Sequence, residues 1–207
     1  MHGLRVVLIG GTSNVGKSTV AQVLAARLGF DHRPTDLLAR HPGRPWRTPE
    51  REVPPHVAEH YRSLAVDELI SSVLDHYERL WPRALRLITD HAAGHGAGLV
   101  LEGSALWPVF VAGLTVPRTA AVWLTADHAV VRARIHDAGR YEAATDEERQ
   151  LMDKFLARTE RYQALMLDAV QELGLDRIEV DGRSVEELAD AVLTTVQAQY
   201  AIGRSAG

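Results

Sequence analysis

The chain has 207 residues, 46% of them hydrophobic and 24% charged, which suits one folded domain with a sizeable core and excludes disordered and collagen-like chains. Its formal charge of −4 lacks the positive excess of a protein that holds nucleic acid by neutralising phosphates, so no nucleic-acid partner is expected. There is no cysteine, which removes disulfides, thiolate catalysis and cysteine-held zinc or iron–sulfur groups together.

In chain order, Leu4 to Ile9 (LRVVLI) reads as a buried strand: a short apolar run with β-branched residues that stops at Gly10-Gly11. It is too short for a signal peptide. The longest later apolar stretch, Ala105 to Val116, contains Pro108 and Gly113 and falls short of a membrane span, so a cytoplasmic protein with no membrane partner is expected. Lys17 to Leu28 has helical spacing, and a short extended piece around Asp31 to Thr35 ends at Asp36. Residues 41–55 hold five prolines and read as an irregular loop. Helices follow across roughly 56–93, with a break or kink expected at Pro82.

Gly98 to Leu101 reads as a second buried strand closing on Glu102, and Ala120 to Leu124 as a third. A helix should start in the Thr125-Ala126-Asp127 segment and run to about Asp137, before a polar loop at 138–145. Thr145 with Glu148, and Ser184 with Glu187, have capping-box spacing, which starts helices near 146 and 185. Arg177 to Val180 is the last short strand. This alternation implies an α/β fold, a mostly parallel sheet covered on both faces, in one domain spanning 1–207.

The strongest chemical signal is Gly11-Thr12-Ser13-Asn14-Val15-Gly16-Lys17-Ser18, which fits G-x-x-x-x-G-K-[ST] between a strand and a helix. Such a loop turns backbone N–H groups around phosphate oxygens at a helix N-terminus. Lys17, one of only two lysines beside 21 arginines, would reach the β- and γ-phosphates, and the Ser18 hydroxyl would hold Mg²⁺. ATP and Mg²⁺ are therefore the expected cofactors, with Thr19 next in the phosphate-binding run. No N-K-x-D guanine pattern exists, and Glu102 is followed by Gly103 without the acidic pair of typical AAA-type ATPases, which leaves small kinases ahead.

Asp36, after the second strand, should stand at the carboxyl edge of the sheet, where ligands bind, and could take or orient an acceptor hydroxyl proton; the plainer reading is a helix cap for 37–40. Lys154, Arg158 and Arg161 share one helical stripe, with no acid three or four residues from any of them, so the stripe either meets an anion or is a solvated rim. Arg132 and Arg134 precede the polar loop and Arg140 lies near its start, where a lid could carry them over phosphates. His56-x-x-Glu59-His60 spells an inverted zinc-peptidase pattern, but without a third ligand a helix on the acceptor side or the surface is the better reading. Trp81, Trp107 and Trp123 read as core, whereas Trp46, between Arg44 and Arg47, either closes over an acceptor or pins its loop.

GGTSNVGKST (10–19), TDLLAR (35–40), LVLEGSAL (99–106), VWLTADHAVVRARI (122–135) and KFLARTERYQ (154–163) together resemble P-loop small-molecule kinases, most closely the 2-phosphoglycerate kinase-like proteins. The resemblance implies a P-loop NTPase three-layer sandwich: an adenylate-kinase-like core of five parallel strands ordered 2-3-1-4-5 under an arginine-bearing helical lid at about 132–161. It makes Asp36 the acceptor-side carboxylate, within an acceptor region at about 36–93, and Glu102 the acid near Mg²⁺. Chloramphenicol phosphotransferase-like antibiotic kinases share the same opening. The expected activity is ATP-dependent phosphorylation of a hydroxyl on a small-molecule acceptor, with Lys17, Asp36, Arg140, Arg158 and Arg161 carrying the chemistry. A nucleotide-dependent regulatory ATPase acting on a protein partner is the competing class. The motifs leave the acceptor and the number of copies open.

Overall fold

The run VVLIGG is buried at all six positions and forms β1 (Val6–Gly11) at the centre of the sheet. In the computed structural model, which describes residues 3–39, 43–48, 52–94 and 96–205, β2 (Asp31–Pro34), β3 (Leu99–Glu102), β4 (Thr119–Thr125) and β5 (Arg177–Glu179) join it. All pairings are parallel and the order is β2-β3-β1-β4-β5, as expected. A strand covered on both faces can be apolar at every position, which is why β1 shows no alternation with polar residues.

Seven helices among the described residues cover the two faces: α1 (Lys17–Leu28), α2 (Pro55–Ser63), α3 (Val66–Ala92), α4 (Pro108–Ala112), α5 (His128–Gly139), α6 (Asp146–Glu172) and α7 (Val185–Ser205). Side chains alternate across β1, so Val7 and Ile9 pack with Val20 and Leu24 of α1 and Val192 and Val196 of α7. Val6 and Leu8 pack on the opposite face with Ile70, Val73 and Ile88 of α3. The long α6 serves both cores: Leu151, Met152, Phe155 and Leu156 belong to the first, and Tyr162, Met166 and Val170 to the second.

Both capping boxes form. Glu148 accepts from Thr145 N–H at 2.8 Å, and Glu187 accepts from Ser184 N–H at 2.7 Å. Other local expectations need correction. The helical run over 56–93 breaks at Leu64-Ala65, where Glu68 accepts from Ala65 N–H at 2.7 Å, and not at Pro82. Pro82 lies on the exposed side of α3, opposite the buried stripe of Leu69, Val73, Tyr77, Leu80, Ala84 and Ile88, so tertiary packing holds the helix through the lost N–H. Instead of a helix over 37–40 there is a single 3₁₀ turn at Thr35–Leu37; residue 40 lies outside the described residues, as do 41, 42 and 49–51 of the proline-rich loop. The short α4, inside an apolar stretch without clear periodicity, was not legible in the sequence. No helix among the described residues is long and apolar enough to cross a membrane.

Candidate active site

β1 ends at Gly11, β2 at Pro34 and β3 at Glu102, and the register sets Ile9, Pro34 and Glu102 side by side. The chain leaves β1 toward β2 and leaves β3 toward β4, so a crevice opens between β1 and β3 at their carboxyl ends. The loop from Gly11 to Lys17 fills it. Gly11 has φ of 138° and any Cβ there would run into the Leu124 carbonyl oxygen, while Gly16, with φ of 94°, is the N-cap of α1. Both positions need glycine for the chain to turn into a helix whose first amides lack intrahelical partners.

Lys17 is 8% exposed, and its Nζ donates to the Thr12 carbonyl at 2.6 Å, folding the side chain back over the loop. Burial pushes its ammonium below the usual lysine range; the Glu102 and Asp36 carboxylates pull it back up, and the Arg44 charge pushes it down. Ser18 Oγ donates to Glu102 Oε1 at 2.8 Å, and His32 Nε2 stands 3.7 Å from the same oxygen. Thr12 Oγ1 donates to the Thr159 carbonyl at 3.4 Å, which ties the loop to the middle of α6.

A cavity of about 740 Å³ runs from this loop to the acceptor side. Ser13, Lys17, Ser18 and Glu102 line it together with Asp36, Leu37, Thr48, Tyr77 and Phe155. Asp36 is exposed on the 3₁₀ turn after β2, and its charge reaches Lys17, His76 and Tyr77. Burial raises the Tyr77 hydroxyl to about 12, so it stays a neutral donor. Two carboxylates, Asp36 and Glu102, and the Lys17 ammonium thus face a single space with Arg44 and Arg134, and a neutral hydroxyl stands in its wall.

Ser18 and Glu102 present a hydroxyl and a carboxylate within hydrogen-bond distance of each other. Such a hard-oxygen pair suits Mg²⁺, which keeps most of its waters and takes few protein ligands. Glu102→Gln should raise the Mg²⁺ concentration needed for half-maximal nucleotide binding by about tenfold, the low end for losing a metal-orienting partner. Titrating Mg²⁺ at fixed nucleotide checks this, and an unchanged midpoint would remove Glu102 from the metal site.

A family model described as an AAA domain matches residues 7–154. The chain belongs to this family. The match covers the glycine loop, Asp36 and Glu102 of the AAA domain, and it stands although the acidic pair of typical AAA-type ATPases is absent after β3. No curated protein matches this AAA-domain chain in sequence. Among solved structures, a gluconokinase from Sinorhizobium meliloti 1021 has a TM-score of 0.55 at 16% identity, over 100% of this chain and 99% of its own. A sugar kinase from Janibacter sp. HTCC2649 reaches 0.57 at 16% identity, over 96% and 98%. A shikimate kinase from Aquifex aeolicus reaches 0.52 at 13% identity, over 94% and 97%. The AAA-domain chain therefore has the P-loop kinase fold.

The residues singled out in the sequence divide as follows. Ser13, Asn14, Gly16, Lys17, Ser18 and Thr19 line the cavity; Gly11, Thr12 and Val15 of the same run are buried and do not line it. Arg134 lines it too, and donates to the Asn14 carbonyl at 3.2 Å. Arg132 pairs instead with Glu160 at 3.7 Å, and Arg140, in a left-handed conformation after α5, borders a separate hollow with Trp46 and Glu148. The basic stripe on α6 is split by partners that no local spacing reveals: Lys154 donates to the Leu64 carbonyl at 2.9 Å and Arg161 pairs with Asp67 at 3.5 Å, both at the α2–α3 junction. Arg158 alone keeps no such partner among the described residues. Trp46 is buried edge-on against Phe155, ring centroids 4.9 Å apart, so it pins its loop and does not cover the cavity. In the inverted zinc pattern, Glu59 pairs with Arg62 and His60 packs on Tyr61. Sequence reasoning missed Tyr77, Thr48 and His32. Tyr77 sits in an apolar helical stripe and looks like core, while His32 meets Glu102 only through the β2–β3 register.

Proposed function

We propose that this protein is a cytoplasmic kinase that transfers the γ-phosphoryl group of ATP, with Mg²⁺, to a hydroxyl of a small molecule. The observation that carries this reading is the continuous cavity joining Lys17 and Ser18 to Asp36, with room beyond the phosphate loop for a second substrate. Phosphoryl transfer asks a protein for positioning and charge stabilisation more than for covalent chemistry, and this cavity offers both.

In this reading Lys17 leaves the Thr12 carbonyl for the phosphates, while the loop amides and Arg134 hold the nucleotide's other oxygens. Mg²⁺, beside Ser18 and Glu102, supplies charge neutralisation at the phosphates. Asp36 accepts the acceptor's hydroxyl proton as the new O–P bond forms and the bond to the leaving ADP breaks. Arg132, Arg140 and Arg161 have protein partners or lie away from the cavity, so any clamping by them needs a closed form. That closure is assigned to residues 140–149, between α5 and the buried stretch of α6 that begins at Leu151, a shorter lid than 132–161. Hydrogen exchange with and without a non-hydrolysable ATP analogue checks it: protection should rise over 140–149 and change little over 151–161, and equal exchange in both states would dismiss the lid.

The fold shared with gluconokinase, shikimate kinase and sugar kinase structures supports the kinase class, and a 2-phosphoglycerate kinase-like or antibiotic-modifying enzyme both fit within it. Membership in an AAA domain family favours one second reading, an ATPase that regulates a protein partner. ADP release with and without a panel of hydroxylated compounds separates the two. Stimulation by one of them supports the kinase, and basal hydrolysis unmoved by any supports the ATPase.

A further inference from the structure

Inward-facing positions of a parallel strand are normally aliphatic, and β2 departs from that habit at His32. Asp31 and Arg33 of this edge strand are exposed, while His32 and Pro34 are half-buried. The register pairs His32 with Val100 and Pro34 with Glu102, so His32 shares a sheet face with Val100 and Glu102, the face that α1 covers. Its Nε2 is buried and has no hydrogen-bond partner among the described residues. A buried polar atom left unpaired destabilises a fold, and valine or isoleucine would fill the place without that penalty.

What Nε2 faces accounts for the exception. Glu102 Oε1 stands 3.7 Å away, on a residue only 3% exposed. Among the described residues the one hydrogen bond that this carboxylate accepts comes from Ser18 Oγ, at 2.8 Å on the same oxygen. Ser18 is also the hydroxyl assigned to Mg²⁺, so its hold on the carboxylate is shared with the cation. The terminal torsion of a glutamate is broad, and a single shared donor leaves the carboxylate free to turn. A second donor on Oε1 would fix it and leave Oε2 for Mg²⁺ or its waters. The present gap is too long for a hydrogen bond, and closing it takes a movement of about 0.8 Å, the kind of tightening that active-site contacts undergo when substrate binds. Among the described residues no three His, Asp or Glu side chains are grouped to hold a metal ion, so the imidazole does not belong to a separate metal site.

We propose that His32 is a positioning residue for the metal end of the cavity: its Nε2–H donates to Glu102 Oε1 and aims the carboxylate at Mg²⁺. This rests on the reading of Ser18 and Glu102 as the Mg²⁺ pair, which the kinase and the ATPase share, and not on the acceptor. Partners that stand behind a metal-binding group set its direction, and losing one lowers metal affinity by about 10–100-fold. His32 is held for that task by the β2–β3 register, which fixes its backbone beside Val100 whatever the cavity contains.

Binding, not turnover, is the readout. A fluorescent, non-hydrolysable ATP analogue at fixed concentration is titrated with Mg²⁺, and the midpoints of the variants are compared. His32→Leu should raise the midpoint by about tenfold, with affinity for the analogue in EDTA unchanged. His32→Gln, whose amide nitrogen reaches about as far as Nε2, should recover most of the loss. His32→Asn, whose amide nitrogen stops near the place of Nδ1, should not. In a Glu102→Gln background His32→Leu should add little, because the residue acts through that carboxylate. A role in the fold alone would lower the melting temperature and leave the midpoint where it was. An unchanged midpoint in His32→Leu, equal behaviour of the Gln and Asn variants, or independent losses in the double variant would overturn the assignment. Nucleotide binding by the wild-type protein that is indifferent to Mg²⁺ would sink the Mg²⁺ pair, and this assignment with it, before any variant is compared. The wild-type protein also gives a check that needs no substitution. With ¹⁵N-labelled histidine, the His32 ring should carry a proton on Nε2 in the Mg²⁺·analogue complex, and a bare Nε2 there refutes the proposal.

Discussion

Lys17→Ala should lower phosphoryl transfer by at least about 10³-fold while the protein stays folded, a loss at the upper end for removing one donor to a charged transition state. The ammonium is buried over the phosphate loop, and its one hydrogen bond among the described residues goes to the Thr12 carbonyl, so the fold asks little of it. Burial in fact opposes its charge, since the folded protein holds Lys17 below its ordinary range. A lysine lowered by folding binds fewer protons in the native state than in the unfolded one between the lowered value and 10.5. Stability should therefore rise with pH across that window, and below it the full cost is present. Lys17→Met removes this cost, so without nucleotide it should melt no lower than wild type at neutral pH, and its advantage should shrink as the pH climbs toward 10.5. Turnover and melting temperature measured together check both statements. A folded Lys17→Ala protein with near-normal turnover would dismiss the assignment, and a collapsed one would make Lys17 a structural residue.

Asp36→Asn is expected to cut turnover by about 10²–10⁴-fold, the usual range for losing a general base, with ATP affinity within about threefold of wild type. The reason is placement. Asp36 lies on the turn after β2, outside the Ser18–Glu102 hydrogen bond, and lines the cavity with Leu37, Thr48 and Tyr77. Asparagine keeps the shape and can still orient a hydroxyl, but it cannot accept the proton. Equal losses of turnover and ATP affinity would instead move Asp36 into the nucleotide site.

The sheet and the phosphate loop were legible in the sequence because their signals are local. A buried parallel strand needs an apolar run, and the glycines at 11 and 16 are required by backbone conformation that one can read from spacing. Capping boxes at Thr145 and Ser184 are local too. What the sequence did not reveal depends on contacts between distant elements. Pro82 stays helical because α3 packs a long apolar stripe, and Lys154 and Arg161 are quenched by Leu64 and Asp67, some 90 residues away in the chain. The same long-range packing buries Trp46 against Phe155 and leaves Arg158 unmatched, so the three cations of one stripe, alike by spacing, end in different roles.

The central claim is that the cavity transfers phosphoryl groups to an acceptor instead of to water. ADP and inorganic phosphate should be quantified in the same reaction, with Mg²⁺·ATP and each of a panel of hydroxy acids and polyols, for the wild-type protein and Lys17→Ala. With the right acceptor, ADP from the wild-type protein should exceed free phosphate by the amount of a new phosphate ester, and Lys17→Ala should form neither above background. ADP and free phosphate rising in equal amounts with every compound would contradict the account and leave a hydrolase.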